Sequence, residues 1–309
     1  MALKIIFMGT SEFAVPILKS IYESHHSVLE IYTQSPKKKD RGQRIDFSPI
    51  HKFSDKIKLK VRYPETLNSA EELKHITELK PDVVVVVAYG KILPSNFLNT
   101  NTIKFINIHA SLLPKWRGAA PIHRAIMNLD QETGISIMRI VSKLDAGPVM
   151  MKSKIKISNG INYENLSKQM SKLGARMILE SLNLLENKKA NFINQNEKEA
   201  TYAKKINKTE SKINWNEKAN KIIAQINALY PNPGAWFRLN GYRVKVIKAE
   251  EVKVKGTPGE ILSKDFTIAC SENAVQIIEL KKEGKKSMKS EEFLKGNKLE
   301  IGTNLIKNE

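Results

Sequence analysis

The stretch Asp82-Val83-Val84-Val85-Val86-Val87-Ala88 decides the fold. Its uniform β-branched run leaves no polar face to turn toward water. A strand of this kind is buried on both sides, as in the centre of a parallel sheet covered by helices. The run is strand-sized, and no apolar segment of the chain approaches the length of roughly 20 residues that spans a bilayer. Working outward, further strands are predicted at Lys4–Met8, Val28–Tyr32, Lys104–His109, Ile135–Val141 and Val149–Ile157. A helix is expected after Thr10-Ser11-Glu12, with Pro16 in its first turn. Another covers Glu164–Leu185, where Leu166, Met170, Leu173 and Met177 share a stripe. Alternating β and α elements imply an α/β fold with a doubly wound, mostly parallel sheet of Rossmann-like type.

The second half changes character. Asn191–Lys208 is polar and weakly patterned, and reads as a linker. An amphipathic helix follows at Glu217–Leu229. Short alternating segments come after it, at Val244–Ile247, Gly259–Leu262, Thr267–Cys270 and Ala274–Leu280, separated by turn residues. That spacing suggests a small antiparallel β-barrel resembling an oligonucleotide-binding fold. The expected organisation is a catalytic domain over residues 1–189, a linker over 190–208 and an OB-like domain over 209–309.

Of 309 residues, 51 are basic and 32 acidic, a formal net charge of +19. Residues 37–62 alone carry 10 basic and 3 acidic side chains, a net of +7. The segment opens Lys37-Lys38-Lys39-Asp40-Arg41-Gly42-Gln43-Arg44 and has no apolar period before Ile50, so it is expected to be an exposed basic loop. It fits a polyanionic partner. It fits equally a solvated lysine-rich surface or a compositional bias toward lysine. Cys270 is the single cysteine, which excludes an internal disulfide and a cysteine-cluster metal site. The start of the chain is too short in apolar residues for a signal-peptide core and reads as a buried first strand. A cytoplasmic monomer with no membrane, disulfide or metal partner is expected.

The turn after the first strand, Gly9-Thr10-Ser11-Glu12-Phe13-Ala14, has one glycine where a dinucleotide fingerprint has three. Glu12 and Phe13 would obstruct a pyrophosphate, so NAD-linked chemistry is disfavoured. The chemistry concentrates instead in Asn107-Ile108-His109-Ala110-Ser111-Leu112-Leu113-Pro114-Lys115-Trp116-Arg117-Gly118-Ala119-Ala120-Pro121-Ile122. Asn107 and His109 are two apart on a strand and share a face, at the carboxyl end where open α/β sheets bind ligands. Asn offers an amide donor to an oxyanion, and His moves a proton near neutral pH. Asp145, in Leu144-Asp145-Ala146-Gly147-Pro148, is a carboxylate suited to orienting His109. Such a set suits nucleophilic addition to a carbonyl and collapse of a tetrahedral intermediate, without serine, cysteine or metal.

Ser111-Leu112-Leu113-Pro114, Pro121-Ile122, Thr133-Gly134 and Asp145-x-Gly147 resemble the 10-formyltetrahydrofolate-dependent formyltransferases. So do Met8–Pro16, Val86–Pro94, Trp116–Ile122, Ile213-Asn214-Trp215, Tyr230–Trp236 and Gly284–Met288, so the resemblance covers nearly the whole chain. It implies that Asn107, His109 and Asp145 are the catalytic residues and that Ser111, Leu112, Leu113 and Pro114 shape the folate pocket. It implies 10-formyltetrahydrofolate as co-substrate, tetrahydrofolate as product and no metal. The Trp116–Pro121 wording and the tail fit the branch that formylates an aminoacyl-tRNA, and imply transfer to the α-amino group of initiator methionyl-tRNA. Arg41, with Lys37, Lys38, Lys39 and Arg44, would then meet the tRNA acceptor end, and the C-terminal domain the acceptor stem. Leu129 stands where many relatives have glycine, and Arg41-Gly42-Gln43-Arg44 lacks a lysine pair after the glycine. A formyltransferase of glycinamide ribonucleotide or of a sugar nucleotide would share the catalytic set but not need residues 209–309. A nucleic-acid-binding protein on a degenerate enzyme scaffold would not need the intact set. Trp116 and Trp236 are either stacking platforms or core residues, with core favoured for Trp236.

Overall fold

The structure, a computed structural model, describes residues 1–39, 44–100, 103–297 and 299–307. In chain order it forms β1 (Lys4–Gly9), α1 (Val15–Tyr22), β2 (Ser27–Tyr32), β3 (Lys37–Lys39), β4 (Arg44–Asp46), α2 (Pro49–Lys56) and β5 (Val61–Arg62). Then come α3 (Ala70–Leu79), β6 (Val83–Val87), α4 (Ser95–Leu98), β7 (Lys104–His109), α5 (Pro121–Met127), β8 (Glu132–Arg139), β9 (Val149–Lys156) and α6 (Tyr163–Glu186). The remainder is α7 (Ala219–Leu229), β10 (Trp236–Leu239), β11 (Tyr242–Val252), β12 (Thr267–Ala269), β13 (Ala274–Lys282), β14 (Ser287–Lys289) and α8 (Ser290–Lys295). Two compact units result, one of Met1–Gly118, Thr133–Ile155 and Ser167–Tyr202, the other of Ala119–Glu132, Lys156–Leu166 and Ala203–Glu309.

The seven-stranded sheet has the order β5-β2-β1-β6-β7-β8-β9. The pairings from β5 to β7 are parallel, and β8 runs antiparallel to β7. The valine run is the middle strand, every residue of it buried, with Val83 beside Ile5 and Val87 beside Gly9. On one face Ile6, Met8, Val84, Val86 and Phe105 form a core with Ile76 and Phe97. Alternate residues such as Ile5 and Phe7 are equally buried, so both faces are covered. From β1 the chain passes to β2 on one side, while β6 lies on the other. That reversal opens a crevice at the carboxyl ends of the strands.

The basic segment departs from the expected loop. Lys37–Lys39 pairs antiparallel with Arg44–Asp46, a short two-stranded ladder. Polar side chains do not prevent such pairing, because the ladder is made by backbone groups.

The second unit is a curled antiparallel sheet in the order β10-β11-β13-β12, with β14 on β13, a small barrel-like domain. Register shifts on β11 around Lys248 bend it. Its core joins Trp215, Ile222 and Ile226 to Phe237, Val244, Phe266 and Phe293. The segment Gly259–Leu262 forms bridges to Asn304 and Ile268 rather than the expected strand. Trp236 is not core either. Phe237 and Leu239 take the inward positions of β10, which turns Trp236 outward, half-buried, with the Arg243 guanidinium 4.3 Å above its ring.

Candidate functional site

The site is built where β7 ends. Asn107 lies between Val86 of β6 and Met138 of β8, and His109 lies opposite Ser136 of β8. Strand alternation gives them a common face. His109 is buried, its Nε2 2.9 Å from the carbonyl oxygen of Trp116. A carbonyl only accepts, so Nε2 carries a proton and donates. Nδ1 is 3.6 Å from the Asp145 Oδ2, an ion-pair distance longer than a hydrogen bond. The same carboxylate oxygen accepts from the Gly118 N–H at 2.8 Å. The half-buried Asn107 amide forms no hydrogen bond among the described residues. The structure thus brings Asn107, His109 and Asp145 to one end of the sheet, with the Asn107 amide, and His109 Nδ1 once that ring is protonated, left to meet an incoming oxygen.

Sterics of the backbone explain the glycines that surround this set. A Cβ on Gly147 would collide with the backbone oxygen of Arg139, and one on Gly134 with that of Ser153 and with Leu112. Both glycines let neighbouring backbone pass at contact distance. Trp116 and Asp145 hold φ values of +62° and +46°, left-handed geometry that costs a non-glycine residue on the order of 1–2 kcal/mol. Their surroundings must impose it, and strained backbone of this sort gathers at functional sites.

Ser111–Pro114 form a rigid turn beside His109. Ser111 Oγ donates to the Lys115 carbonyl at 2.6 Å. Ser136 Oγ donates to the Ser111 carbonyl at 2.7 Å and accepts from the Leu113 N–H at 3.0 Å. Lys152 Nζ donates to the Leu113 carbonyl. Ser111, Leu113 and Pro114 are buried, and Leu113 packs with Met138 and Val149. Leu112 alone is half-exposed. Of the basic segment, Lys37 is exposed, while Arg41 lies outside the described residues, as do the side chains of Lys38, Lys39 and Arg44.

Sequence reasoning missed several residues that hold the site. Ser136 joins two points of the Ser111–Pro114 turn, yet it is one polar position in an apolar strand. Residues 193–202 run as a strap against the site loops. Ile193 exchanges backbone bonds with Val149 at 2.8 and 2.9 Å, and Trp116 N–H donates to Thr201 Oγ1 at 2.9 Å. Arg117, fully buried, bonds Gln195 and Glu197. The hydrogen bonds from Arg117 and then Lys143 push the Glu197 carboxyl down to about 2. A polar strap has no apolar period, so nothing in its composition marks it as fixed.

Among the described residues one group has metal-ligand character, His25, His26 and Glu186, within 4.8 Å of one another. It precedes β2, at the end of the sheet opposite His109. The Leu3 N–H donates to His26 Nδ1 at 3.3 Å, which leaves the proton of the neutral ring on Nε2, and Glu186 accepts from His25 at 2.9 Å. The group reads as a hydrogen-bonded cluster.

In the second unit a groove of about 670 Å³ is lined by Trp236, Arg243, Lys245, Lys281 and Lys282. It combines an aromatic face with clustered cations, the composition of a nucleic-acid surface.

Residues 3–182 match the family described as formyl transferase, and residues 205–298 match its C-terminal domain. The chain is a formyl-transferring enzyme. The chain is 47% identical over 307 residues to the methionyl-tRNA formyltransferase of Pelagibacter ubique, covering 99% of both chains. It is 42% identical over 294 residues to that of Paracoccus denitrificans, covering 95% of this chain and 97% of the other. The chain belongs to the methionyl-tRNA formyltransferase family. In fold it is similar to an N-formyltransferase from Helicobacter canadensis in complex with folinic acid and dTDP-3-aminofucose, with a TM-score of 0.68 at 20% identity over 90% of this chain and 99% of the other. It is also similar to HypX from Aquifex aeolicus in complex with tetrahydrofolic acid, with a TM-score of 0.67 at 17% identity over 98% of this chain and 51% of that one.

Proposed function

We propose that Asn107, His109 and Asp145 carry the transfer of the formyl group of 10-formyltetrahydrofolate to the α-amino group of initiator methionyl-tRNA. The products are N-formylmethionyl-tRNA and tetrahydrofolate. The observation that supports this reading best is His109 held by the Trp116 carbonyl on one nitrogen, with the other beside Asp145, two residues from an uncommitted amide. The donor set fits a formyl carbonyl, because its oxygen gains charge as the carbon becomes tetrahedral.

The neutral amine attacks the formyl carbon. A C–N bond forms, and negative charge develops on the formyl oxygen. Asn107 and the Nδ1–H of His109 donate to that oxygen. Asp145 balances the imidazolium and takes the proton of the attacking amine, directly or through a water. Collapse of the intermediate breaks the bond to N10 of the folate, which receives the proton. Ser111–Pro114 would border the folate, with Leu112 the side chain open to it. Lys37, Lys38, Lys39, Arg41 and Arg44 would contact the acceptor end, and the groove at Trp236 and Arg243 would take backbone phosphates of the stem. We assign domains at 1–189 and 209–309, joined by 190–208, and a monomeric, cytoplasmic enzyme. No described helix is long and apolar enough to cross a membrane.

The test is formyl transfer by the purified chain to methionyl-tRNA, free methionine and glycinamide ribonucleotide. Turnover confined to methionyl-tRNA supports the reading, and preference for either small acceptor would overturn it.

A further inference from the structure

The Gln195 side chain makes hydrogen bonds that the formyl-transfer chemistry does not use. Its Nε2 donates to the carbonyl oxygens of Asp145, at 2.8 Å, and Gly147, at 2.7 Å. Its Oε1 accepts from Arg117 Nε at 3.1 Å and Nη2 at 2.9 Å. Both amide protons and the amide oxygen are therefore engaged. One end of this amide holds the loop that carries Asp145. The other holds Arg117, the residue after Trp116, whose carbonyl anchors His109. Arg117 is in turn closed by Glu197 Oε1 at 2.8 Å and Oε2 at 3.1 Å, and Lys143 Nζ, from the Asp145 side, reaches Glu197 at 2.6 Å.

We propose that Gln195, with Arg117 and Glu197, is a positioning residue for formyl transfer: it locks the Asp145 loop to the Trp116 loop and so fixes the His109 ring between the Trp116 carbonyl and the Asp145 carboxylate. The inference rests on the reading that His109 and Asp145 act on the formyl group. The physical need is plain. Trp116 and Asp145 both sit at positive φ, a conformation that relaxes unless something outside the residue holds it. His109 has no hydrogen bond to Asp145, only a 3.6 Å approach, so their separation is set by the loops. The strap residue supplies the missing tie, and it does so with neutral donors that cannot compete with His109 for the carboxylate.

The experiment compares Gln195→Ala with wild type, alone and in a His109→Ala background, by single-turnover and steady-state formylation of methionyl-tRNA. For Gln195→Ala kcat is expected to fall on the order of 10²-fold, the cost of about 1 Å of misplacement. KM for methionyl-tRNA and for 10-formyltetrahydrofolate should stay within about threefold, because no group that touches substrate is removed. In the His109→Ala background the same substitution should cost less than in wild type, since there is no ring left to position and only the contact of Asp145 with the amine remains to be disturbed. Gln195→Glu keeps the acceptor for Arg117 but loses both donors, and should not restore kcat. Near-normal kcat in Gln195→Ala while His109→Ala is crippled would overturn the inference. So would an equal loss in both backgrounds, which would mean that the amide acts on folding or binding alone. Near-normal turnover by His109→Ala would instead sink the underlying reading of the site, a result distinguishable from the other two. Should Gln195→Ala fail to fold, Glu197→Gln loosens the same clamp at an exposed carboxylate and is read by the same comparison.

Discussion

In the proposed mechanism Asn107 and His109 donate to the developing oxyanion, and each substitution to alanine removes one donor. Loss of one such donor is expected to lower kcat by roughly 10²–10³-fold with the fold intact. Asp145→Asn keeps the shape and the Gly118 hydrogen bond but removes the negative charge beside His109. It should reduce turnover strongly with little change in KM for either substrate. The shared face of Asn107 and His109 was legible in the sequence because residues two apart on a strand point the same way, and Asp145 was expected as a carboxylate suited to orienting His109. Their supports were not legible. Ser136, Thr201 and Gln195 act through backbone carbonyls and N–H groups, and such bonds leave no pattern in side-chain type. The one thiol gives a control. Burial pushes the Cys270 thiol up to about 12, so the thiolate is scarce in the native state. Native protein at pH 8 should resist iodoacetamide, and unfolded protein should be alkylated, as mass spectrometry would show.

Elements were read from period, and period explains both the successes and the failures. The valine run and α6 formed as expected because each buries a regular set of positions. The basic segment formed a ladder although its side chains show no alternation, since backbone bonds suffice for so short a pair. Leu129, at the end of the α5 turn, holds φ +62°, the conformation for which glycine is suited. Leu129→Gly should relieve about 1 kcal/mol of strain, partly offset by greater chain entropy when unfolded. A modest rise in the urea midpoint is expected, and a fall would show that the exposed leucine packs more strongly than its surface suggests. On α5, burial and then the neighbouring Arg124 push the His123 imidazole down to about 4, and its ring stacks on Tyr163 at 4.0 Å. The unfolded chain binds this proton near 6.5 and the folded chain does not until about 4. The stability it contributes is complete above 6.5 and lost as pH falls toward 4. His123→Gln should flatten the stability profile in that window, measured by urea unfolding at several pH values.

For the whole molecule, an excess of 19 positive charges is an electrostatic fact before it is a functional one. The groove at Trp236 gives it a place. Arg243→Ala should raise KM for methionyl-tRNA without affecting KM for the folate. It should also reduce the salt slope of tRNA binding by about one unit for each phosphate that the guanidinium no longer neutralises. Arg41→Ala should impair tRNA use more than Lys38→Ala at every salt concentration, because a guanidinium beside glycine can make a directed hydrogen bond and a lone lysine only a diffuse attraction. Equal effects would reduce the basic segment to a general field. The change from an α/β sheet to a curled antiparallel one was legible as a change from mixed α/β to short-strand patterning. The assignment of Ala119–Glu132 and Lys156–Leu166 to the second compact unit was not, since both lie far in sequence from its core.

The most direct test of the central claim is the single-turnover rate of formyl transfer to methionyl-tRNA by His109→Ala at saturating 10-formyltetrahydrofolate. The arrangement of His109 between Trp116 and Asp145 predicts a rate lower by roughly 10²–10³-fold with unchanged substrate affinity. A rate within a few-fold of wild type would contradict it.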